Sequence, residues 1–287
     1  MNPWRKITLL LREIGLPNMA AYSLYQLQLR SGLLRRRTPT SNEMPKIGNG
    51  QAELFAPHWQ SWLKSGCHKS NESTGEVLLK GFFFPFGGGQ QLLDFRPATR
   101  QLKHWTEYGN EVDGIDIKTI WEPARFLWSL DLSRLYLLTR NDDYAEMFWK
   151  KVEEFLSSNP ANSGPNWASA QEIAIRVVIW VIALGALKDS NASTADRLSM
   201  ITGAIHQHLE RIPLTLNYAR SQNNNHVLSE SLALMIGGEF LRGLTQKAEN
   251  WITLGEHEFE RAILTQVDDQ GIYSQHSANY HRMMLQL

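Results

Sequence analysis

Residues 173–187 read Ile173-Ala-Ile-Arg176-Val-Val-Ile-Trp180-Val-Ile-Ala-Leu-Gly-Ala-Leu187, with Glu172 before them and Lys188 after. From Val177 the run holds eleven residues without a polar side chain. Crossing a bilayer takes about 20, so the run reads as a buried core helix and not as a membrane span. Outward from it, apolar residues recur at three- and four-residue spacing through 120–138, 144–156, 198–209, 227–241, 248–264 and 280–287. The breaks at 140–143, 157–165, 189–194 and 214–225 are short and rich in Asn, Asp, Ser and Pro. Helices of about 12 to 20 residues joined in this way form successive antiparallel hairpins. No repeat is visible, which disfavours a short-consensus solenoid. The expected fold is mainly α, antiparallel helical hairpins of a length that can close into an α/α toroid, with a small irregular or β segment near residues 70–95.

The chain divides into three stretches: a helical segment and linker over 1–45, an irregular region with short strands over 46–115, and the truncated toroid over 116–287. The first ends in Arg35-Arg36-Arg37-Thr38-Pro39, a solvated turn before a linker or a contact for a polyanion. In the second, Glu76-Val-Leu-Leu-Lys-Gly-Phe-Phe-Phe-Pro-Phe86 suits a strand that Gly87-Gly88-Gly89 ends. That glycine triplet lacks the spacing of a phosphate loop.

Composition excludes several function classes. The 29 basic and 29 acidic side chains cancel, which argues against a dedicated nucleic-acid binder. The single cysteine, Cys67, rules out a disulfide framework and a cysteine-rich metal site. Ten tryptophans are generous, and aromatic platforms suit sugar rings. Near the N-terminus, Arg5, Lys6, Arg12 and Glu13 bracket an apolar run too short for a signal-peptide core. Cytoplasm is therefore the default compartment, with the periplasm or cell envelope as the alternative.

Candidate chemistry lies in the loops between hairpins. Ser221-Gln-Asn223-Asn224-Asn225-His226 precedes an apolar helix. One asparagine there is a common N-cap. Three, with a histidine in the first turn, suit either an elaborate cap or an anion held at the positive end of a helix. Glu230, four residues on, is placed to orient His226. Gly271-Ile-Tyr273-Ser-Gln-His-Ser277-Ala-Asn-Tyr280-His281 reads as a turn leading into a helix capped by Ser277. Its tyrosine and histidine are either packed residues or functional ones. Trp121-Glu122-Pro123-Ala-Arg125 places Pro123 in a first helical turn. Asn159-Pro160-Ala-Asn-Ser-Gly164-Pro165-Asn166-Trp167 leads into Glu172 and Arg176, an i,i+4 pair that most often forms a salt bridge.

Together these motifs resemble the helical N-terminal half of heparinase II/III-like polysaccharide lyases. The resemblance runs from about residue 82 to 287 and is closest from Asp116 onward. It rests on Asp116-Ile-Lys-Thr-Ile-Trp121-Glu122 with Arg125, on 159–167 with Glu172 and Arg176, on Asn225-His226, and on Ser277-Ala-Asn-Tyr280-His281. Four motifs in the same order with matching gaps are fairly specific. The resemblance implies β-elimination, in which the C5 proton of a uronic acid is removed and the sugar linked at C4 is expelled. It assigns Asn225 to the substrate carboxylate, with His226 assisting there or in proton transfer. Tyr280 becomes the acid that protonates the departing O4, and in a syn elimination also the base. A tyrosine base needs nearby positive charge or donors, since its ordinary pKa is about 10. Arg176, Arg220 and His281 are candidate suppliers. Trp121, Arg125, Asn166, Trp167, Arg176 and His281 are candidate substrate-binding residues, as sugar or carboxylate contacts, or else packing around the toroid.

Gln275 and His276 depart from the family's usual acidic residue and Gln at those two positions. Relatives continue into a β-sandwich carrying a further catalytic histidine and, in some members, a zinc site. This chain is thus expected to be the N-terminal half, with the β-sandwich as its intrachain partner, an acidic polysaccharide as substrate, and no cofactor or metal of its own. Two other readings stand beside the lyase. One is a non-catalytic carbohydrate-binding or remnant domain. The other is a toroidal glycoside hydrolase using two of Glu122, Glu172 and Glu230.

Overall fold

The computed structural model describes residues 15–50, 59–65, 72–85, 88–96 and 101–275. The chain starts with helices α1 (Leu16–Arg30) and α2 (Leu33–Arg37), followed by α3 (Trp59–Ser65) and α4 (Glu72–Leu79). Two small antiparallel ribbons come next. β1 (Phe82–Phe83) pairs with β2 (Gln91–Leu92), and β3 (Glu111–Val112) pairs with β4 (Ile115–Asp116). The helical body comprises α5 (Ile117–Ala124), α6 (Ser129–Thr139), α7 (Asp142–Ser158), α8 (Ala170–Leu187), α9 (Ala195–Arg211), α10 (Leu216–Gln222), α11 (Asn225–Phe240) and α12 (Lys247–Gln266).

The apolar helix α8 is the hub. It packs against α5, α6, α9 and α11, and most of its residues are buried. α8 is also long and apolar enough to cross a membrane, but 83% of it is buried inside the protein. Short loops then build the hairpins α6–α7, α8–α9 and α11–α12, stacked as the incomplete α/α toroid that the resemblance implies. α11 and α12 approach closely because glycines face the contact. A Cβ on Gly255 would stand 2.7 Å from the Ser231 carbonyl oxygen. An aromatic cluster of Phe95, Phe126, Trp128, Phe155 and Trp180 fills the space beside α8, with Phe95 and Phe126 stacked at 5.2 Å.

Four local expectations are corrected. The strand expected over 76–86 forms only at Phe82–Phe83, and residues 76–79 belong to α4. There Leu78 is buried and Gly75 lets the helix press on Leu135 and Tyr144, contacts with no local signature. The helix expected over 120–138 is two helices, broken at Phe126, which takes a left-handed φ of 62° to place its ring in the aromatic cluster. Pro123 accordingly lies near the end of α5 and not in a first turn; Asp116 caps that helix by accepting the Lys118 N–H. The loop expected over 214–225 holds α10.

The segment after Pro39 is laid along the body. Ser41 bridges to Ala161, and the Gly50 N–H donates to Thr202 Oγ1. In the arginine run, Arg35 pairs with Glu107 at 2.9 Å, and the run forms the last turn of α2, where cations suit the helix dipole.

Candidate active site at the start of helix α11

The three asparagines before α11 have three different tasks. Asn223 ends α10 in the left-handed region, φ 44°, which asparagine tolerates better than most residues. Asn224 is extended, and its side chain accepts the His226 N–H at 3.0 Å, so it is the N-cap. Asn225 is left as the first residue of the helix, 3% exposed, its carbonyl accepting the Ser229 hydroxyl. Its backbone N–H donates to the Gln275 side-chain oxygen at 3.4 Å. Gln275 also accepts from the Tyr273 hydroxyl at 3.3 Å. The turn over 268–275 is thereby tied to the N-terminus of α11. Tyr280 and His281, with Ser277, lie outside the described residues.

His226 keeps 23% of its side chain exposed. Burial pushes its pKa down to about 4, and the negative charge of Glu172 offsets part of that shift. The imidazole is therefore neutral near pH 7. Its ring meets Tyr218 edge-on at 6.0 Å. Glu230 stands 3.9 Å away, beyond hydrogen-bonding distance. Burial raises the Glu230 carboxyl well above the usual range although Arg211 opposes this, and its Oε2 has no hydrogen-bond partner. With His226 neutral and the carboxyl beyond hydrogen-bonding distance, Glu230 does not orient His226 through an ion pair.

Glu172, which acts on His226 through space, belongs to the first turn of α8. Both its oxygens are taken by Arg125, at 2.6 and 2.9 Å. Arg125 also reaches Glu122 at 2.8 Å. The expected Glu172–Arg176 bridge is thus replaced by a bidentate pair with Arg125, whose cation is neutralised by two carboxylates. Trp121, half-buried on the same helix as Glu122, donates its indole N–H to the Pro165 carbonyl at 2.9 Å.

Asn166, Trp167 and Arg176 lie deeper, at 1%, 1% and 0% exposure. Asn166 donates to the Asn159 side-chain oxygen at 2.9 Å, and Trp167 donates to the Asn159 carbonyl. Arg176 donates to the carbonyls of Ala124 and Asn166 and to His208 Nε2 at 3.0 Å. His208 Nδ1 faces the Ala204 carbonyl at 2.7 Å, which fixes the tautomer that leaves Nε2 free to accept. Burial lowers Arg176 to about 9, so it remains a cation at neutral pH. Of the two readings open for these three residues, their burial favours packing: they brace the 159–167 loop on which Trp121 rests.

Two charged groupings had no sequence signal beyond residue type. Glu258, 1% exposed, takes both Arg220 (2.7 and 2.9 Å) and Arg261 (2.8 Å). Burial opposes its charge, but the two arginines hold it down to about 2. Arg220 is therefore committed to Glu258. Arg211 Cζ lies over Trp105, 3.6 Å from the ring centroid, and its Nη1 donates to Thr215. Among the described residues, no three His, Cys, Asp or Glu side chains converge as a metal site would require.

A family described as "Heparinase II/III N-terminus" matches residues 98–287. Among solved structures, the heparan sulfate lyase HepC from Pedobacter heparinus superposes with a TM-score of 0.54 at 17% identity. The match covers 95% of this chain and 39% of that lyase, and at such identity it speaks for the fold alone. Comparison with curated proteins returned no match.

Proposed function

The chain belongs to the heparinase II/III N-terminal family, and on that premise we propose that it is the helical part of a lyase that cleaves a uronic-acid-containing polysaccharide by β-elimination. The observation that carries this reading is the hydrogen bond from the Asn225 N–H to Gln275, two residues before Ser277. It brings the entry to the Ser277–His281 motif to the start of α11, as a shared site for Asn225, His226 and Tyr280 requires.

In this reading the substrate carboxylate lies against the N-terminus of α11, where the helix dipole favours an anion. Asn225 and the neutral imidazole of His226 donate to it, so that charge moving from C5 into the carboxylate is stabilised as the C5–H bond breaks. Donors of this kind are worth about 2.7–4 kcal/mol each in comparable oxyanion sites. In a syn elimination Tyr280, as its phenolate, takes the C5 proton and passes it to O4 as the C4–O4 bond breaks. Trp121 offers a ring face to a neighbouring sugar, and Arg125 holds the Glu122–Glu172 side of the site in place. Tyr280 would need His281, or groups supplied by a further domain, to lower its pKa, because the charge of Arg176 is set against Glu172 and that of Arg220 against Glu258.

A second reading, a carbohydrate-binding domain without turnover, is favoured by the burial of Asn225. The two separate cleanly. The longest natural form of the protein is incubated with polyuronates and followed by the ultraviolet absorbance of the C4–C5 unsaturated product. Tyr280→Phe and Asn225→Ala should each abolish that signal while leaving the protein folded. Binding that survives both substitutions, with no unsaturated product from the wild type, would establish the binding reading instead.

A further inference from the structure

Helix α1 carries apolar residues on both sides. Its inner side rests on the body, where Tyr25 meets Tyr218 of α10 at 4.9 Å and Leu29 packs on the core. Its outer side is exposed at Leu16, Pro17, Ala20, Leu24 and Leu27, which the helical period gathers into a stripe about 100° wide, interrupted by Ser23. Leu16 is 71% exposed and Leu27 66%, and no residue of α1 before Arg30 is charged. With Tyr22, this helix holds four of the eleven large apolar side chains that are exposed among the described residues. Single exposed leucines are ordinary, whereas a contiguous stripe marks a surface that something covers. A helix that is apolar all round belongs in a core or at a membrane. No residue of α1 is fully buried in the body, so the core is not its place.

Charge says what covers it. Residues 1–37 hold seven of the 29 basic side chains and, in Glu13, one of the 29 acidic ones, so the zero net charge divides into a cationic start and an anionic remainder. Arg30 continues the stripe three residues after Leu27, and Arg35, Arg36 and Arg37 follow in α2. Arg30, Arg36 and Arg37 are exposed, and Arg30 and Arg37 make no ion pair among the described residues. Exposed leucines beside unspent arginines match the boundary of an anionic bilayer, which offers acyl chains to the one and phosphates to the other. A second copy docked face to face would instead set two cationic clusters against each other.

We propose that α1 is a membrane-docking helix, which lies in the headgroup boundary of an anionic bilayer with Leu16, Leu24 and Leu27 inserted and the exposed arginines at its end on lipid phosphates. The inference stands apart from the lyase reading, since nothing at the start of α11 takes part in it. α1 does back onto that site: Tyr218, which Tyr25 touches, meets His226 at 6.0 Å. Docking through the outer face of α1 therefore holds the candidate site about one helix layer from the lipid surface.

The test is co-sedimentation of the longest natural form of the protein with vesicles of phosphatidylcholine, alone or with about a quarter phosphatidylglycerol. The protein should sediment with the anionic vesicles and not with the neutral ones, and salt at about 0.5 M should weaken the binding. Leu24→Gln/Leu27→Gln, exposed and so harmless to folding, should weaken it by about tenfold or more. Arg30→Gln/Arg37→Gln should weaken it about fivefold for each charge removed. Failure to bind the anionic vesicles would overturn the proposal, as it would if a further domain covered the stripe. Wild-type binding by the leucine variant would overturn it too, because the attachment would then be general electrostatic adhesion. A dimer of the wild type that the leucine variant turns into a monomer would assign the stripe to a second copy instead. Loss of elimination activity in Tyr280→Phe leaves the vesicle result unchanged, so the two readings fail separately.

Discussion

Replacing Arg125 by Met tests whether the Glu122–Arg125–Glu172 grouping is the electrostatic support of the site. Glu172 has a side chain 3% exposed, and both its oxygens are taken by Arg125. The substitution therefore strands a buried carboxylate, with Glu122 losing its partner as well. Breaking a buried pair from one side costs about 3–5 kcal/mol. For a chain of this size that corresponds to a fall in Tm of about 6–20 °C. Urea unfolding should show the loss as a lower midpoint with an unchanged slope. The double variant Arg125→Met/Glu172→Gln leaves no bare charge at that position and should recover at least half of the loss. The same perturbation has a second readout at His226. Without Arg125, the field of Glu172 on the imidazole is no longer offset, so the His226 pKa should rise above about 4, and Glu172→Gln should bring it back down. A loss under about 1 kcal/mol, as an exposed pair would give, would refute the structural role. An unmoved His226 pKa would refute the coupling.

Three further outcomes follow from the same geometry. His226 has a native pKa of about 4 against 6.5 for the free side chain, so the unfolded chain binds the extra proton. Its contribution is present above about pH 6.5 and is lost toward pH 4, by up to about 3 kcal/mol. His226→Gln should flatten that acid limb, whereas an NMR midpoint above pH 6 would contradict it. Glu230 has the opposite sign. Its pKa is raised, so its contribution is complete below about 4.5 and is lost as pH climbs through the native value. Glu230→Gln should keep or increase stability at pH 7, and a loss of about 3–5 kcal/mol would show instead a charged pair with Arg211. Gly255→Ala would place a Cβ 2.7 Å from the Ser231 oxygen and 3.0 Å from the Met235 nitrogen, both backbone atoms of α11. It should cost about 1–3 kcal/mol in urea unfolding, where an open site would gain from the better helix former.

What was legible in the sequence depended on whether the deciding contacts were local. α8 could be read because a long apolar run has one outcome in a folded protein, and the hairpins followed from their spacing. The start of α11 was legible as a place, since three asparagines exceed what one cap needs; the division of tasks among Asn223, Asn224 and Asn225 is set by backbone angles. The break at Phe126 was hidden, because its left-handed turn is supported by rings at 95, 128, 155 and 180. α4 was hidden for the same reason, its face being set by Leu135 and Tyr144. Arg176 looked like half of an i,i+4 pair, but its donors reach carbonyls at 124 and 166 and an imidazole at 208. Spacing names the neighbours on a helix, not the better acceptor across the core.

The charge around the candidate site bears directly on the chemistry proposed for it. Glu122, Arg125 and Glu172 alone would carry an excess negative charge, which would repel a polyuronate. Arg176 lies one turn after Glu172 on α8, keeps its proton below about pH 9, and acts on Glu172 through space. With it the group balances at two carboxylates and two cations. Arg176 can hold that charge because its donors go to carbonyls and a neutral imidazole and leave the positive charge unspent. In the proposed reading, attraction for a substrate carboxylate then comes from the positive end of the α11 dipole, the Asn225 side-chain amide and the neutral imidazole of His226. Neutral donors suit an elimination better than a fixed cation would. A full positive charge holds a localised carboxylate most tightly in the ground state, and that binding does nothing for the barrier. Preoriented dipoles strengthen as charge flows from C5 into the carboxylate, so their contribution grows toward the transition state.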